Sequence, residues 1–177
     1  MTAVSTTPLT PAEVAGLLRA TLATVQAEIT ALPAAVAGWH PAAGEWCIQE
    51  TLGHMIESER RGFSGRIRTI LSADNPRLPG WNQVAVAAER QDCAKPIAAV
   101  LAEFADLRRA SIAQVEALTG ADLARGGEHE QVGYLSVRDL LHEWVHHDAN
   151  HFRQILANVQ GYAWPGMGNA QRFSAPE

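Results

Sequence analysis

Four of the seven histidines in this 177-residue chain lie close together, within residues 140–155. They form two pairs, His142/His146 and His147/His151, each with i, i+4 spacing. On a helix this spacing places two side chains one above the other, about 5–6 Å apart at Cβ. Two imidazoles so arranged can bind one divalent ion, because Zn–N bonds are ~2.0–2.1 Å long. The chemistry of the chain therefore depends on which pair faces a sheltered site.

The first pair encloses Glu143 and matches the H-E-x-x-H signature of zincin metalloproteases, in which the glutamate is the general base. On a helical wheel advancing ~100° per residue, His142 and His146 fall on the polar side. His147 and His151 fall at the edge of the apolar side. A catalytic metal needs a sheltered site with an open coordination position. The wheel therefore favours the second pair over a zincin-type metalloprotease site.

A catalytic zinc site usually has three protein ligands, so a further residue is needed. Of the remaining histidines, His40 and His129 fall in connections between predicted helices. His54 is on another predicted helix, and metal sites in bundles are built from facing helices. It is the leading candidate by elimination, although the wheel places it on the polar side of its helix. The residues alone leave open a three-histidine site or surface histidines without a joint role.

The elements that must position these residues are amphipathic helices. Apolar residues recur at helical spacing, capping sequences mark helix starts, and the alternation typical of strands is nearly absent. The four predicted helices cover residues 11 to about 32, 48 to about 71, 96 to about 119 and 137 to about 160. Gly120 ends the third helix and Ser136 caps the fourth. We therefore predict an all-α four-helix bundle over residues 8–160, and a loosely packed C-terminal tail over 161–177.

The crossover between the second and third helices, residues 72–95, is long and irregular. Long loops in small domains are usually functional or disordered. Because Trp81 lies in this crossover, one interpretation is a flap that covers a site. The other is a plain surface connection, and the sequence does not decide between them.

Composition argues against several classes of protein. The net charge is −5 and basic residues do not cluster, which argues against nucleic-acid binding. No apolar run approaches the ~18 residues that a membrane span needs, and the N-terminus lacks the features of a secretory signal. Two cysteines do not make a disulfide framework, so we predict a reduced, cytoplasmic protein with Cys47 a small half-buried residue and Cys93 a loop thiol.

Two motifs resemble the DinB/YfiT-like superfamily. The first lies in residues 44–59, where Trp46 precedes a capped helix that carries His54 followed by an aliphatic residue. The second covers residues 147–155, with two histidines four apart and Gln-Ile after them. The order of the helices and the long second crossover also fit, so the resemblance covers about residues 8–160. Cys47 departs from the pattern, because the family usually has Ser or Thr at this cap.

The resemblance implies a four-helix bundle in which three histidines hold a divalent metal, usually zinc and sometimes nickel. By motif position these are His54, His147 and His151. Family members use the metal to activate a low-molecular-weight thiol such as bacillithiol or mycothiol, or are described as metal-dependent hydrolases. The expected partner is thus a small-molecule thiol or electrophile, with no nucleic acid and no membrane. A homodimer is expected by family analogy alone.

Three further residues are candidates for the site. Glu57, one turn after His54, is a candidate general base or an acceptor that orients a ligand, with a solvated carboxylate as the alternative. Trp144 and Arg153 are candidates for binding a cofactor, with a core residue and a solvated residue as the alternatives. The predicted function is a metal-dependent thiol transferase or hydrolase. The alternative from another class is a non-catalytic metal-binding or interaction bundle of the stress response.

Overall fold

Four long helical rods make up most of the computed structural model, which describes residues 7–174. This architecture confirms the predicted four-helix bundle with a long crossover between its second and third rods. The helices are α1 (Pro11–Ala31), α2 (Ala34–Ala37), α3 (Ile48–Glu57), α4 (Ser64–Ser72), α5 (Gln83–Arg90), α6 (Ile97–Glu116) and α7 (Val137–Ala163). The strands are β1 (Arg77–Leu78), β2 (Gly126–His129) and β3 (Gly133–Ser136), and short 3-10 turns cover Asp92–Ala94, Asp122–Ala124 and Trp164–Phe173. Within residues 7–174, no helix combines the length and the apolar character that crossing a lipid bilayer requires.

Capping boxes start the three helices that matter most for the site or its support. Thr10 caps α1 and Ser136 caps α7, in each case with an acidic side chain three residues later that accepts from the backbone N–H of the capping residue. Cys47 does the same for α3, where its sulfur lies 3.4 Å from the Glu50 backbone nitrogen. Sulfur is a weak acceptor. The stronger hydrogen bond of this capping box is therefore the one that the Cys47 backbone N–H donates to the Glu50 carboxylate at 3.0 Å.

The second rod is not one continuous helix, because a π-helical turn over Ser58–Gly62 separates α3 from α4. Such turns are rare and often occur at functional sites. The turn brings the Arg60 carbonyl against Gly65, where an added Cβ would lie well inside van der Waals contact of that oxygen. Gly65 therefore permits close contact with the Arg60 carbonyl at the point where the π-helical turn gives way to α4.

A pair of Gly→Ala substitutions tests whether this turn is fixed. We expect Gly65→Ala to lower the free energy of unfolding by about 1–3 kcal/mol, because the new methyl group overlaps the Arg60 carbonyl. The matched control is Gly16→Ala in the middle of α1, where an added Cβ meets nothing within 4 Å. It should raise stability by about 0.5–1 kcal/mol. Urea unfolding of both variants measures this, and equal stabilisation of the two would contradict a close approach at Gly65.

The apolar core has two halves, one around Phe63 and Trp144 and the other around Leu52 and Phe104. Between them lies the fully buried guanidinium of Arg108, 4.9 Å from the Phe104 ring and 5.6 Å from the Trp144 ring. A charge at this depth has to be paired. Its partners are carboxylates on two different rods, described below.

Two connections contain short strands that the sequence analysis did not predict. β1 pairs in parallel with β2, and β2 pairs in antiparallel with β3, so a three-stranded sheet joins the crossover to the connection before α7. These strands have two to four residues, too few for alternation to be visible in the sequence. Helix α7 also continues past Gly161, which packs against the Trp39 ring instead of ending the helix.

The prediction of two free thiols was also wrong. Cys47 and Cys93 form a disulfide across 46 residues, and the structure completely buries Cys47. Cys47 is at the start of α3, and the turn Asp92–Ala94 after α5 lies against this helix end. The spacing of the two cysteines in the sequence does not predict this contact, because it depends on the path of the long crossover that carries Cys93 to the start of α3.

Candidate metal centre

The structure brings together the three histidines that the sequence analysis selected. His54 comes from α3, and His147 and His151 come from successive turns of α7. One ring nitrogen from each lies within 4.8 Å of the others, and the Nε2 atoms of His54 and His147 are 3.1 Å apart. Two ligands at ~2.0–2.1 Å from one tetrahedral zinc ion lie roughly 3.3 Å from each other. The donor set and its spacing therefore fit a single divalent ion.

His54 is 7% exposed, although the helical wheel placed it on the polar side of α3. The reason is that α3 is surrounded, so that every one of its residues except Glu50 is buried. The His54 ring packs near two tryptophans, with its centroid 5.1 Å from that of the Trp46 ring and 5.6 Å from that of the Trp81 ring. A wheel shows only which side is apolar. It does not show that other segments cover the polar side as well.

The surroundings of His54 and His151 favour the neutral imidazole, which is the form that binds metals. Burial, followed by the charges of His151 and His147, lowers the pKa of His54 to about 3. Burial, followed by His147, also lowers the pKa of His151. The Nδ1–H of His151 donates to Gln154 Oε1 at 3.0 Å, which leaves the Nε2 lone pair free. A hydrogen bond to the second ring nitrogen is how proteins orient histidine ligands.

Ser58 is a site residue that the sequence analysis missed. Its hydroxyl lies 3.2 Å from His147 Nε2 and 3.5 Å from His54 Nε2. It is the first residue of the π-helical turn, so the irregular winding occurs at the site itself. The i, i+4 spacing from His54 to Ser58 was a usable signal, because such residues share a helix face.

A cavity of about 980 Å³ opens above the histidines. Its apolar walls include Phe63 and Trp81, and its polar walls include Arg66, His129 and Glu143. The ring of Trp81 is nearly parallel to that of His54, with an interplanar angle of 24°. This position favours the interpretation of the crossover as a flap, because the crossover supplies a wall of the cavity.

Arg66, on α4, is half-buried in this cavity. Its Nη2 lies 2.9 Å from His129 Nε2, and its Nε is buried without a hydrogen-bond partner. Burial lowers the pKa of Arg66, while the negative charge of Glu143 opposes that shift. No carboxylate forms an ion pair with Arg66 within the described part of the chain. A cation of this kind inside a cavity is suited to an anionic ligand.

The structure places Glu57 away from this cavity. Its carboxylate is buried and accepts hydrogen bonds from Arg60 at 2.8 Å, Arg61 at 2.6 Å and Arg90 at 2.9 Å. Burial would raise the pKa of Glu57, but these three arginines hold it below its ordinary value. The carboxylate is therefore neither solvated nor turned to the histidines, and it holds the crossover helix α5 against α3.

The other candidates from the sequence also lie outside the cavity walls. Trp144 is buried in the core, where its ring stacks on Phe63 at 4.9 Å between centroids. Arg153 is exposed and donates to Asn150.

The three residues of the zincin-like motif have different surroundings and do not form a common site. His142 accepts from the Leu9 backbone N–H at 3.1 Å through Nε2, and its Nδ1 lies 2.9 Å from the Arg138 carbonyl. His146 is exposed on another part of α7. Among residues 7–174, neither belongs to a group of side chains that could share an ion. Glu143 lines the cavity of the other histidine pair.

Comparison with known proteins agrees with this fold. The sequence profile of the DinB superfamily matches residues 17–155. Among solved structures, the chain is similar to YfiT from Bacillus subtilis, described as a probable metal-dependent hydrolase with an unusual four-helix bundle topology. The TM-score is 0.80 at 16% sequence identity, and the match covers 93% of this chain and 94% of YfiT. A comparison with curated proteins gives no match. Because the profile covers most of the bundle, including all three histidines, this chain belongs to the DinB superfamily.

Proposed function

We propose that this protein is a metal-dependent enzyme in which His54, His147 and His151 hold one divalent ion, zinc or nickel, that activates water for hydrolysis. The observation that carries the proposal is the convergence of three imidazole nitrogens beneath an open cavity. Three protein ligands with room for a further ligand are typical of catalytic metal sites, whereas structural sites are closed. The description of YfiT as a probable metal-dependent hydrolase supports the same reaction class.

When bound, the ion would supply Lewis-acid chemistry, lowering the pKa of a coordinated water or thiol toward neutrality. The side chains around it have separate tasks. Gln154 fixes the orientation of the His151 ring, and Ser58 offers a hydroxyl beside the other two rings. Trp81 and Phe63 limit access of water from the sides. Glu143, which lines the cavity, has a carboxylate that could accept or return a proton.

Arg66 defines the substrate class within this proposal. A half-buried guanidinium without a carboxylate partner among the described residues would bind a carboxylate or phosphate group of the substrate. We therefore favour esters or amides that carry such an anionic group. The cavity, at about 980 Å³, is large enough for a ligand of several hundred daltons.

The second candidate is transfer of a low-molecular-weight thiol, such as bacillithiol or mycothiol, to an electrophile. The same cavity also has room for a thiol and an electrophile together. Arg66 would then bind an anionic group of the thiol. A non-catalytic metal-binding bundle of the stress response is the alternative if neither reaction occurs.

An assay panel separates these functions. Metal-loaded protein is offered neutral and anionic esters and amides, and separately small thiols with electrophiles. We expect turnover of an anionic ester, and a loss of about 10- to 100-fold in kcat/KM on Arg66→Met, from the loss of a charged hydrogen bond. Arg153→Met, outside the cavity, is the matched control and should keep full activity. Turnover only with thiols would favour the transferase, and no turnover would favour the binding role.

A further inference from the structure

A second group of metal-ligating side chains lies at the start of α3, at the protein's disulfide. It comprises His40, Cys47, Glu50 and Cys93, whose ligand atoms all lie within 4.8 Å of one another. We propose that these four side chains bind one Zn²⁺ ion when the protein is reduced. The Cys47–Cys93 disulfide is then the oxidised state of a redox-controlled zinc site. The proposal is independent of the three-histidine centre, because the two sites share no residue.

The donor set suits zinc. Two thiolates, an imidazole and a carboxylate complete the four-coordinate shell of a closed structural zinc site. Thiolate ligands also select zinc over magnesium and calcium, which prefer oxygen ligands. Glu50 is already held in place, because one of its carboxylate oxygens accepts from the Cys47 backbone N–H at 3.0 Å.

The orientation of His40 is the second observation that points to a ligand. Its Nδ1 lies 2.8 Å from the Glu45 carbonyl oxygen, which can only accept, so Nδ1 carries the proton. The remaining nitrogen, Nε2, keeps its lone pair and faces the Cys93 sulfur at 3.7 Å. A backbone carbonyl bound to one ring nitrogen while the other faces the metal is the usual arrangement of a histidine ligand.

The segment that carries Cys93 is attached to α3 by more than the disulfide. The Gln49 side-chain amide donates to the carbonyl oxygens of Asp92 at 2.8 Å and Lys95 at 2.7 Å, one on each side of Cys93. The buried Asp92 carboxylate accepts from Arg90 and Lys95. Because these bonds do not involve sulfur, they keep the two cysteines close together after reduction.

Reduction of the disulfide needs a two-electron reductant, and a small thiol can supply the electrons. Two molecules of a thiol reductant supply two electrons and two protons, the S–S bond breaks, two S–H groups form, and the reductant becomes its own disulfide. Zn²⁺ then replaces both thiol protons, which go to solvent. Two sulfurs bound to one zinc ion lie roughly 3.7 Å apart, well beyond a sulfur–sulfur bond. The half-buried Cys93 side chain, on its short turn, has to rotate to make this room.

Cobalt substitution tests the proposal in the full chain. The protein is reduced with a phosphine, freed of metal, and titrated with Co²⁺, a spectroscopic replacement for zinc. A thiolate-to-cobalt charge-transfer band should appear, reach the intensity of one sulfur-bound ion per chain, and disappear when Zn²⁺ displaces the cobalt. The disulfide form should give no such band. Because the three-histidine centre contains no sulfur, it cannot produce this signal whether or not it binds cobalt.

Variants identify the ligands. Cys93→Ser should remove the band, and His40→Ala and Glu50→Gln should each weaken zinc binding by at least ~10-fold, the lower end of what loss of a ligand's hydrogen-bonding partner costs. Glu50→Gln keeps a residue suited to the capping box, and His40 is exposed, so both should fold, which circular dichroism can verify. His146→Ala, an exposed histidine elsewhere, should bind as the wild type does. A reduced protein without the band, or unchanged zinc affinity in both His40→Ala and Glu50→Gln, would overturn the proposal.

Discussion

His147→Ala should abolish stable binding of a divalent metal at the three-histidine centre, whereas His146→Ala should retain about one ion per chain. His147 Nε2 faces His54 Nε2 at 3.1 Å, so its removal leaves two ligands, fewer than a catalytic site normally has. His146 is exposed and belongs to no such group among the described residues. The loss should exceed the ~10- to 100-fold that removal of a ligand's hydrogen-bonding partner costs.

Metal analysis after dialysis measures this difference, together with competition against a chelator of known affinity. The protein should be kept oxidised, because the disulfide then occupies both cysteines and only the histidine centre is counted. Gln154→Ala is a second variant for which we expect a smaller loss of metal affinity. It removes the acceptor that orients His151 but leaves all three ligands. It should weaken binding by about 10- to 100-fold. Metal lost in His146→Ala and kept in His147→Ala would revive the zincin interpretation, and metal kept in His54→Ala would mean a wrong third ligand.

Arg108→Met should lower the free energy of unfolding by about 3–5 kcal/mol, because it leaves buried carboxylates without their cation. Arg108 donates to Asp148 through both terminal nitrogens, at 2.5 and 3.0 Å, and to Glu59 through Nε. All three side chains are buried. The adjacent Arg109→Met is the matched control. Within residues 7–174 Arg109 pairs only with the exposed Asp106, so its loss should cost less than ~1 kcal/mol.

Unfolding by urea in the presence of a chelator measures both variants without a contribution from bound metal. The pH dependence adds a second check. Burial would raise the pKa of Asp148, but the Arg108 charge holds it below its ordinary value. A carboxylate with such a lowered pKa stabilises the fold at neutral pH and loses that contribution as the pH falls through the folded-state value. The difference between wild type and Arg108→Met should therefore shrink in acid, and a difference that stays constant with pH would contradict this origin.

This ion pair also concerns the metal centre. Glu59 follows Ser58 in the π-helical turn, and Asp148 follows His147 on α7. Arg108, from α6, thus bonds to both rods that carry the site. On each rod the bonded carboxylate is adjacent in sequence to a site residue. The arginine therefore links the two rods by hydrogen bonds to Glu59 and Asp148, each one residue from the site.

The sequence by itself determined the rods and the histidines. Periodic apolar residues and capping boxes such as Thr10/Glu13 are local signals, so they predicted the four helices to within a few residues at most ends. The i, i+4 spacing of His147 and His151, read against the apolar side of the same helix, separated this pair from the zincin-like pair. Both are properties of a single helix, which is why they could be read without a fold.

Only the tertiary structure decided which side chains meet across the rods. His54 became buried because Trp46, Trp81 and the neighbouring helices cover the polar side of α3, which no wheel can show. Glu57 turned to three arginines, one of them 33 residues away on α5, and Cys47 met Cys93 across the crossover. Such contacts depend on the path of a long connection, and the free energy that fixes this path comes from non-local burial and ion pairs.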